Sequence, residues 1–192
     1  PIESARSDKA RLTIRWQDSS APAILSGGRK ISGWKRSSEN RNLWETTIPA
    51  VRKGEWFFRQ LFIDDVRKTG ARTPNDGFFR IQGESPQDKP AQIRYGGDDI
   101  KKEWAETGNV ELIALLAWAD IRMQIRSVDP EKKIATLSGN PRPSNKESNA
   151  RYFVENAREF LDEPGEWFLD QDTGRLSYLG IEGEDLSKAE VI

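Results

Sequence analysis

The sequence predicts a mainly β chain. Short apolar runs alternate with polar residues along most of its length, and Gly, Pro, Asn and Asp clusters punctuate those runs. The one long segment rich in Leu and Ala also keeps a strict period of two, which a half-buried strand requires and a helix does not.

The elements follow in order. "RLTIRW" (residues 11–16) alternates, and after the turn formers of "QDSSAP" comes "AILSGGRKISGW", two short apolar strands broken at Gly27-Gly28. "LWETTIP" opens a second β-rich block. In "WFFRQLFIDDVRKTGART" the pair Asp64-Asp65 sits between strand-like runs as a hairpin turn, although Asn-Gly is the stronger signal. "PNDGFFRI" supplies another turn and strand, and "GESPQDKPAQ" an exposed loop. Within "VELIALLAWADIRMQIRSV" the side chains Val110, Leu112, Ala114, Leu116 and Trp118 alternate, so residues 110–118 are expected to be a strand against their slight helical propensity. "RMQIRSVD" and "PEKKIATLSG" read as strand, turn and strand, and "NPRPSNKESNA" as a second exposed loop. "FVENAREFLDEPG" places Phe153, Ala157, Phe160 and Leu161 on one helical face before Pro164-Gly165, which predicts one short helix near 154–161. Glu155 and Asn156 then fall at its start, where capping or dipole compensation explains them.

Composition bounds the chemistry. A chain of 192 residues that is 35 % hydrophobic, with seven tryptophans, is large enough to bury a core. Lys and Arg total 30 against 31 Asp and Glu, interspersed rather than blocked, so no net field favours nucleic acid or an anionic membrane. With no histidine and no cysteine, disulfides, thiol nucleophiles, Ser-His-Asp triads and the usual zinc ligand sets are excluded; no cofactor or metal is expected. No apolar run reaches membrane-spanning length and no signal peptide pattern is visible. Pro1 in place of a starting methionine suggests a trimmed chain or a piece of something longer.

"GEWFLDQDTGRLSYL" (residues 165–179) gathers Glu166, Asp170 and Asp172 among aromatic residues. A calcium loop of the EF-hand type wants glycine sixth and glutamate twelfth, where this chain has Arg175 and Ile181. A glycosidase pair needs two carboxyls facing each other across a cleft, one with a raised pKa, whereas acids at a hairpin tip usually sit in water. The alternation Trp167, Leu169, then Leu176, Tyr178 around "DQDTG" predicts a β-hairpin with these acids as turn and edge residues, and no catalytic residue is assigned.

Several stretches together resemble one family: "SGGRKISGW", "EWFFRQLFIDDVRKTGARTPNDGFF", "NVELIALLAWADIRMQIRSVD", and "RYFVENAREFLDEPGEWFLDQDTGRLSYL" followed by "GEDLSKAEVI". In this order they are similar to the early part of the right-handed parallel β-helix proteins related to glycoside hydrolase family 141. The resemblance implies a β-rich insertion domain, barrel or sandwich-like, attached to edge strands of a β-helix. Residues 1–50 would be partial coil strands, 51–183 the insertion, and 184–192 the return to the coil. It also implies an extracellular or periplasmic enzyme acting on polysaccharide, with the catalytic coils beyond Ile192, and strand edges around "RLTIRW" and "KAEVI" left open for self-association. Asp64-Asp65 departs from the Asn-Gly-like turn of the relatives.

Candidate carbohydrate ligands are chosen by type, because a pyranose stacks its C–H face on an indole while its hydroxyls pair with planar polar groups. Trp34, Trp104 and Trp118 are the aromatic candidates, with Trp104, beside the charged "DDIKKE", expected to be the most exposed; Trp56 and Trp167 read as core. Arg72 and Asn75 of "ARTPN" flank a proline-fixed turn and either face a ligand or serve the turn itself. The function expected is a non-catalytic part of a polysaccharide-acting enzyme that shapes its substrate groove. An independent carbohydrate-binding module and a purely structural or interaction domain remain as rival readings.

Overall fold

The computed structural model describes residues 26–38, 40–83, 91–116, 118–139 and 149–192. Expectations for "RLTIRW" and for most of the two long loops lie outside these residues. In chain order the strands are β1 (Lys35–Arg36), β2 (Leu43–Thr47), β3 (Leu61–Ile63), β4 (Val66–Gly70), β5 (Arg72–Thr73), β6 (Phe79–Arg80) and β7 (Gln92–Arg94). They continue as β8 (Glu111–Leu115), β9 (Asp120–Asp129), β10 (Ile134–Leu137), β11 (Arg151–Glu155), β12 (Glu166–Asp170) and β13 (Arg175–Leu179). A single-turn helix α1 (Pro49–Arg52) and short 3-10 turns at Lys102–Ala105 and Arg158–Phe160 complete the described elements. The mainly β expectation therefore stands; of the strand expected over residues 110–118, Glu111–Leu115 forms β8, and Trp118 lies in the turn that follows it.

Two sheets organise the chain. The first runs β1-β2-β13-β12-β4-β3, antiparallel except for the β12–β4 pair. The second runs β5-β11-β8-β9-β10-β7, with β6 also on β11. The second sheet curls towards closure, because the segment after β6 bonds to both margins: Ile81 N–H donates to Ala150 O and Gln82 N–H to Arg94 O. The result is a half-barrel filled by Leu112, Ala114, Ile125, Leu137, Tyr152 and Val154. The first sheet buries a separate cluster around Trp44, Leu61, Trp167, Leu169, Leu176 and Tyr178. The sheets meet where β4 runs into β5. Ala71, fully buried at that crossing, donates its N–H to Trp167 O and accepts from Asn156 N–H.

Several local signals behave as their chemistry dictates. Asp64 and Asp65 turn between β3 and β4 with φ of 47° and 63°, the left-handed pair a two-residue hairpin needs, and Asp64 Oδ1 accepts from Glu190 N–H. The β12–β13 hairpin turns through Gly174 at φ 71°; a Cβ there would stand 2.5 Å from Ile48 O, which fixes glycine at the contact with α1.

Four expectations are corrected. The short helix near 154–161 is instead the end of β11 plus one 3-10 turn. Tyr152 and Val154, both fully buried, follow the strand period, and Asn156 at φ 66° breaks any helix before it starts. "RKISGW" forms no regular strand; Gly33 at φ 79° interrupts it, and only Ile31 makes a ladder-like bond, to Val191 O. Residues 56–60 are irregular up to β3. The open edge expected at "KAEVI" is occupied within the chain, since Phe62 N–H donates to Ile192 O and Ile192 N–H to Phe62 O. Strand β7 was missed, because its three residues adjoin a polar loop.

β1 and β2 belong to the same sheet as the β12–β13 hairpin, through the β2–β13 register Tyr178 to Trp44.

Candidate functional site

A cleft of about 320 Å³ opens where the two sheets meet. Its wall on one side is the loop Phe57–Arg59 with β4, and on the other the outer face of β8, β9 and β11. The register explains its charge. Glu111 of β8 stands directly opposite Glu155 of β11, a like-charge pair that destabilises a sheet by itself. Arg122, which enters from β9 opposite Ile113, resolves the conflict: its Nη1 donates to Glu111 Oε2 at 2.9 Å and to Glu155 Oε2 at 2.6 Å. Arg59 adds a second donor, Nη2 to Glu111 Oε1 at 3.0 Å, so the buried Glu111 carboxylate is held by two guanidinium groups. Burial alone would lower the Arg122 pKa, but the facing Glu155 and Glu111 carboxylates hold it above its ordinary value.

The rest of the wall is aromatic and cationic. Trp167 stacks on Phe58 at 5.6 Å, which leans on Trp56 at 4.9 Å, while Phe57 stays 40 % exposed beneath the Arg59 guanidinium. Arg67 lines the cleft and has no hydrogen-bond or ion-pair partner among the described residues. Lys68 reaches away from it, with Nζ 2.6 Å from Glu184 Oε1; Glu184 also accepts from the Tyr178 hydroxyl and Ile181 N–H. Burial would raise the Glu184 pKa, yet these donors hold it below the usual carboxylate range.

The predicted candidates do not converge on one place. Arg72 lines the cleft, but its Nε donates to Pro74 O and its Nη2 to Gly77 O, and its plane lies 4.0 Å over the Phe153 ring. Asn75 donates Nδ2 to Asp162 Oδ1 at 2.8 Å. Both serve the turn, which contains a cis Thr73–Pro74 bond. Trp104 is not exposed as expected: at 5 % exposure it packs edge-on against Phe160 and its indole N–H bonds the Glu159 carboxylate. The neighbouring Lys101, Lys102 and Glu103 turn outward, so the charged surroundings in sequence misled. Trp34 is also buried, at 8 %. Trp118 is the exception, 94 % exposed beside the β8–β9 turn, where Leu116 N–H donates to Ala119 O. Trp167 is core as expected, whereas Trp56 is half-buried.

The acids of the hairpin behave as turn groups. Asp170 accepts from Asp172 N–H, Thr173 N–H and the Thr173 hydroxyl, and Asp172 only from Asn109 Nδ2 at 3.4 Å. Glu166 is buried and accepts from the N–H groups of Asp162 and Glu163; burial raises its pKa above the ordinary range. No group of three acids with metal-site geometry occurs among the described residues.

The fold and cleft define a β domain of two sheets that meet at an arginine- and glutamate-lined cleft. A solved glycoside hydrolase aligns over 87 % of this chain at 26 % identity with a TM-score of 0.68. Residues 41–180 match the profile of the GH141 insertion domain, and the chain belongs to that family. It spans 31 % of the length of the solved glycoside hydrolase. A search of curated proteins found no match.

Sequence reasoning missed Arg59, Arg67, Glu111 and Arg122. One signal was present: Glu111 is a lone acid inside the apolar run "NVELIALL", on the face opposite Val110, Leu112 and Ala114. A charge at such a position needs a partner.

Proposed function

We propose that this chain is a non-catalytic insertion domain of a polysaccharide-acting β-helix glycoside hydrolase, exported from the cell, and that it walls or supports the substrate groove. The family membership carries this reading. A geometric observation supports it: the segment leading into the domain and the segment leaving it lie side by side, with Ile31 N–H donating to Val191 O at 2.8 Å and Val191 bridged to Ile63. A domain inserted into a host fold must bring these two segments together, or the host strands on either side of the insertion would be pulled apart. The residues that line the inter-sheet cleft from this side, Phe57, Phe58 and Arg59, also line a second hollow bordered by Ile31 and Ile192. The cleft thus continues towards the junction through which a host would be reached.

The rival reading of a carbohydrate-binding module has one observation in its favour, the convergence of aromatic and planar polar groups in that cleft. The insertion reading is tested by hydrolysis. The purified chain releases no reducing sugar from a panel of plant and microbial polysaccharides. Turnover that disappears in Glu111→Gln or Glu166→Gln would overturn it and make the domain an enzyme in its own right.

A further inference from the structure

The geometry points to the inter-sheet cleft as a binding subsite for a carboxylate-bearing sugar, a uronic acid residue within an oligosaccharide. The charge count of the cleft carries the inference. Arg59, Arg67, Arg72 and Arg122 line it together with Lys68, against the carboxylates of Glu111 and Glu155. Lys68 is matched by Glu184 from outside the wall, and the Arg72 guanidinium is turned onto Pro74 O and Gly77 O with Asp76 and Glu166 nearby, so three guanidinium groups face two carboxylates and the local excess is one positive charge. That excess stands out in a chain whose overall balance is 30 cations against 31 anions.

The arrangement also assigns roles. Glu111 and Glu155 are held rigidly by Arg122, and their remaining lone pairs accept from sugar hydroxyls, a geometry that neutral and acidic sugars satisfy alike. Arg67 is different. It has no partner among the described residues, and on β4 it opposes Phe62, on the strand pair beside the aromatic loop. A free guanidinium presents two parallel donors that a carboxylate fills in bidentate fashion, which a hydroxyl cannot. Exposed Phe57 at the rim offers a flat apolar face for the C–H side of the ring. A neutral sugar leaves the excess charge unmatched; a uronate matches it.

Inorganic phosphate shares the anionic chemistry, so the test separates the two sources. This inference relies on the insertion reading only for the subsite's place in an enzyme, and its test measures binding where the other measures hydrolysis. Calorimetric titration of the 192-residue chain at low ionic strength compares a galacturonate trimer, the neutral galactose trimer and inorganic phosphate. The uronate trimer is expected to bind, the neutral trimer at least about tenfold more weakly, as loss of one charge-assisted pair implies, and phosphate more weakly than the uronate trimer, because it has no ring to lay on Phe57. Arg67→Ala, which breaks no side-chain hydrogen bond or ion pair among the described residues, lowers uronate affinity about tenfold with an unchanged melting temperature. Absence of uronate binding, equal binding of the neutral trimer, phosphate binding as tight as the uronate, or an unaffected Arg67→Ala variant would each overturn the proposal.

Discussion

The acids of the β12–β13 hairpin and the acids of the inter-sheet cleft are the same residue types in opposite circumstances. Asp170 is satisfied by the backbone and hydroxyl of its own turn, within three residues of itself. Glu111 and Glu155 belong to different strands, and each is satisfied by an arginine brought from far along the chain. A carboxylate held locally reports a turn; one held at long range reports a surface that the fold has assembled. Density of acids in sequence does not distinguish the two, whereas the distance to the partner does.

The largest break in this comparison is Arg122→Leu. It leaves Glu111 and Glu155 facing each other across β8 and β11 with a single remaining cation, Arg59, on Glu111. Loss of one partner of a buried ion pair predicts destabilisation of about 3 kcal/mol, read as a fall in the denaturation midpoint. The double variant Arg122→Leu, Glu155→Leu should recover part of that loss, because it removes the orphaned charge with its partner. A midpoint unchanged in Arg122→Leu would reduce the network to a surface contact.

A third circumstance, burial without an ion-pair partner among the described residues, sharpens the contrast. Glu166 has a raised folded-state pKa, so its contribution favours folding fully below the unfolded glutamate value of about 4.3 and is lost as pH rises through the folded value. Glu184 has a lowered one, so its contribution is complete above the unfolded value and is lost as pH falls. Glu166→Gln should therefore gain relative stability towards neutral pH, whereas Glu184→Gln should lose most above the acid range. Chemical denaturation at a series of pH values reads both slopes, and slopes of equal sign would contradict the assignment.

The smaller effects lie in the hairpin and at the exposed indole. Asp170→Ala removes three acceptor contacts at a solvated turn and should cost about 1 kcal/mol. Trp118→Ser, at the 94 % exposed position, should change stability by less than about 0.5 kcal/mol and leave uronate binding intact. A larger loss of binding from Trp118→Ser than from Arg67→Ala would move the site from the cleft to the β8–β9 turn.

Much of the fold was legible because it rests on period two. Val110, Leu112 and Ala114 line the half-barrel interior in strict alternation, and the left-handed pair Asp64-Asp65 turns where polar residues interrupt two apolar runs. The region after Phe153 was misread because Phe153, Ala157, Phe160 and Leu161 satisfy a helical face on paper. The burial of Tyr152 and Val154 and their pairing with β8 decide it, and pairing is a property of two strands rather than one. The cleft was illegible for the same reason. Its residues lie between positions 57 and 169, and only the β8–β9 and β8–β11 registers bring Glu111, Arg122 and Glu155 together. Trp104 shows the reverse error, in which charged neighbours suggested exposure while Phe160 and Glu159, more than fifty positions away, supplied the burial.

The most direct test of the cleft as the functional surface is a nuclear magnetic resonance titration that follows arginine Nε–H and tryptophan indole resonances as galacturonate trimer is added. Saturable shifts at Arg59, Arg67 and Trp167, with the Trp118 indole unmoved, are the predicted result. Shifts confined to Trp118 or to the backbone of the Asp170–Gly174 turn, with the cleft arginines unperturbed, would contradict it.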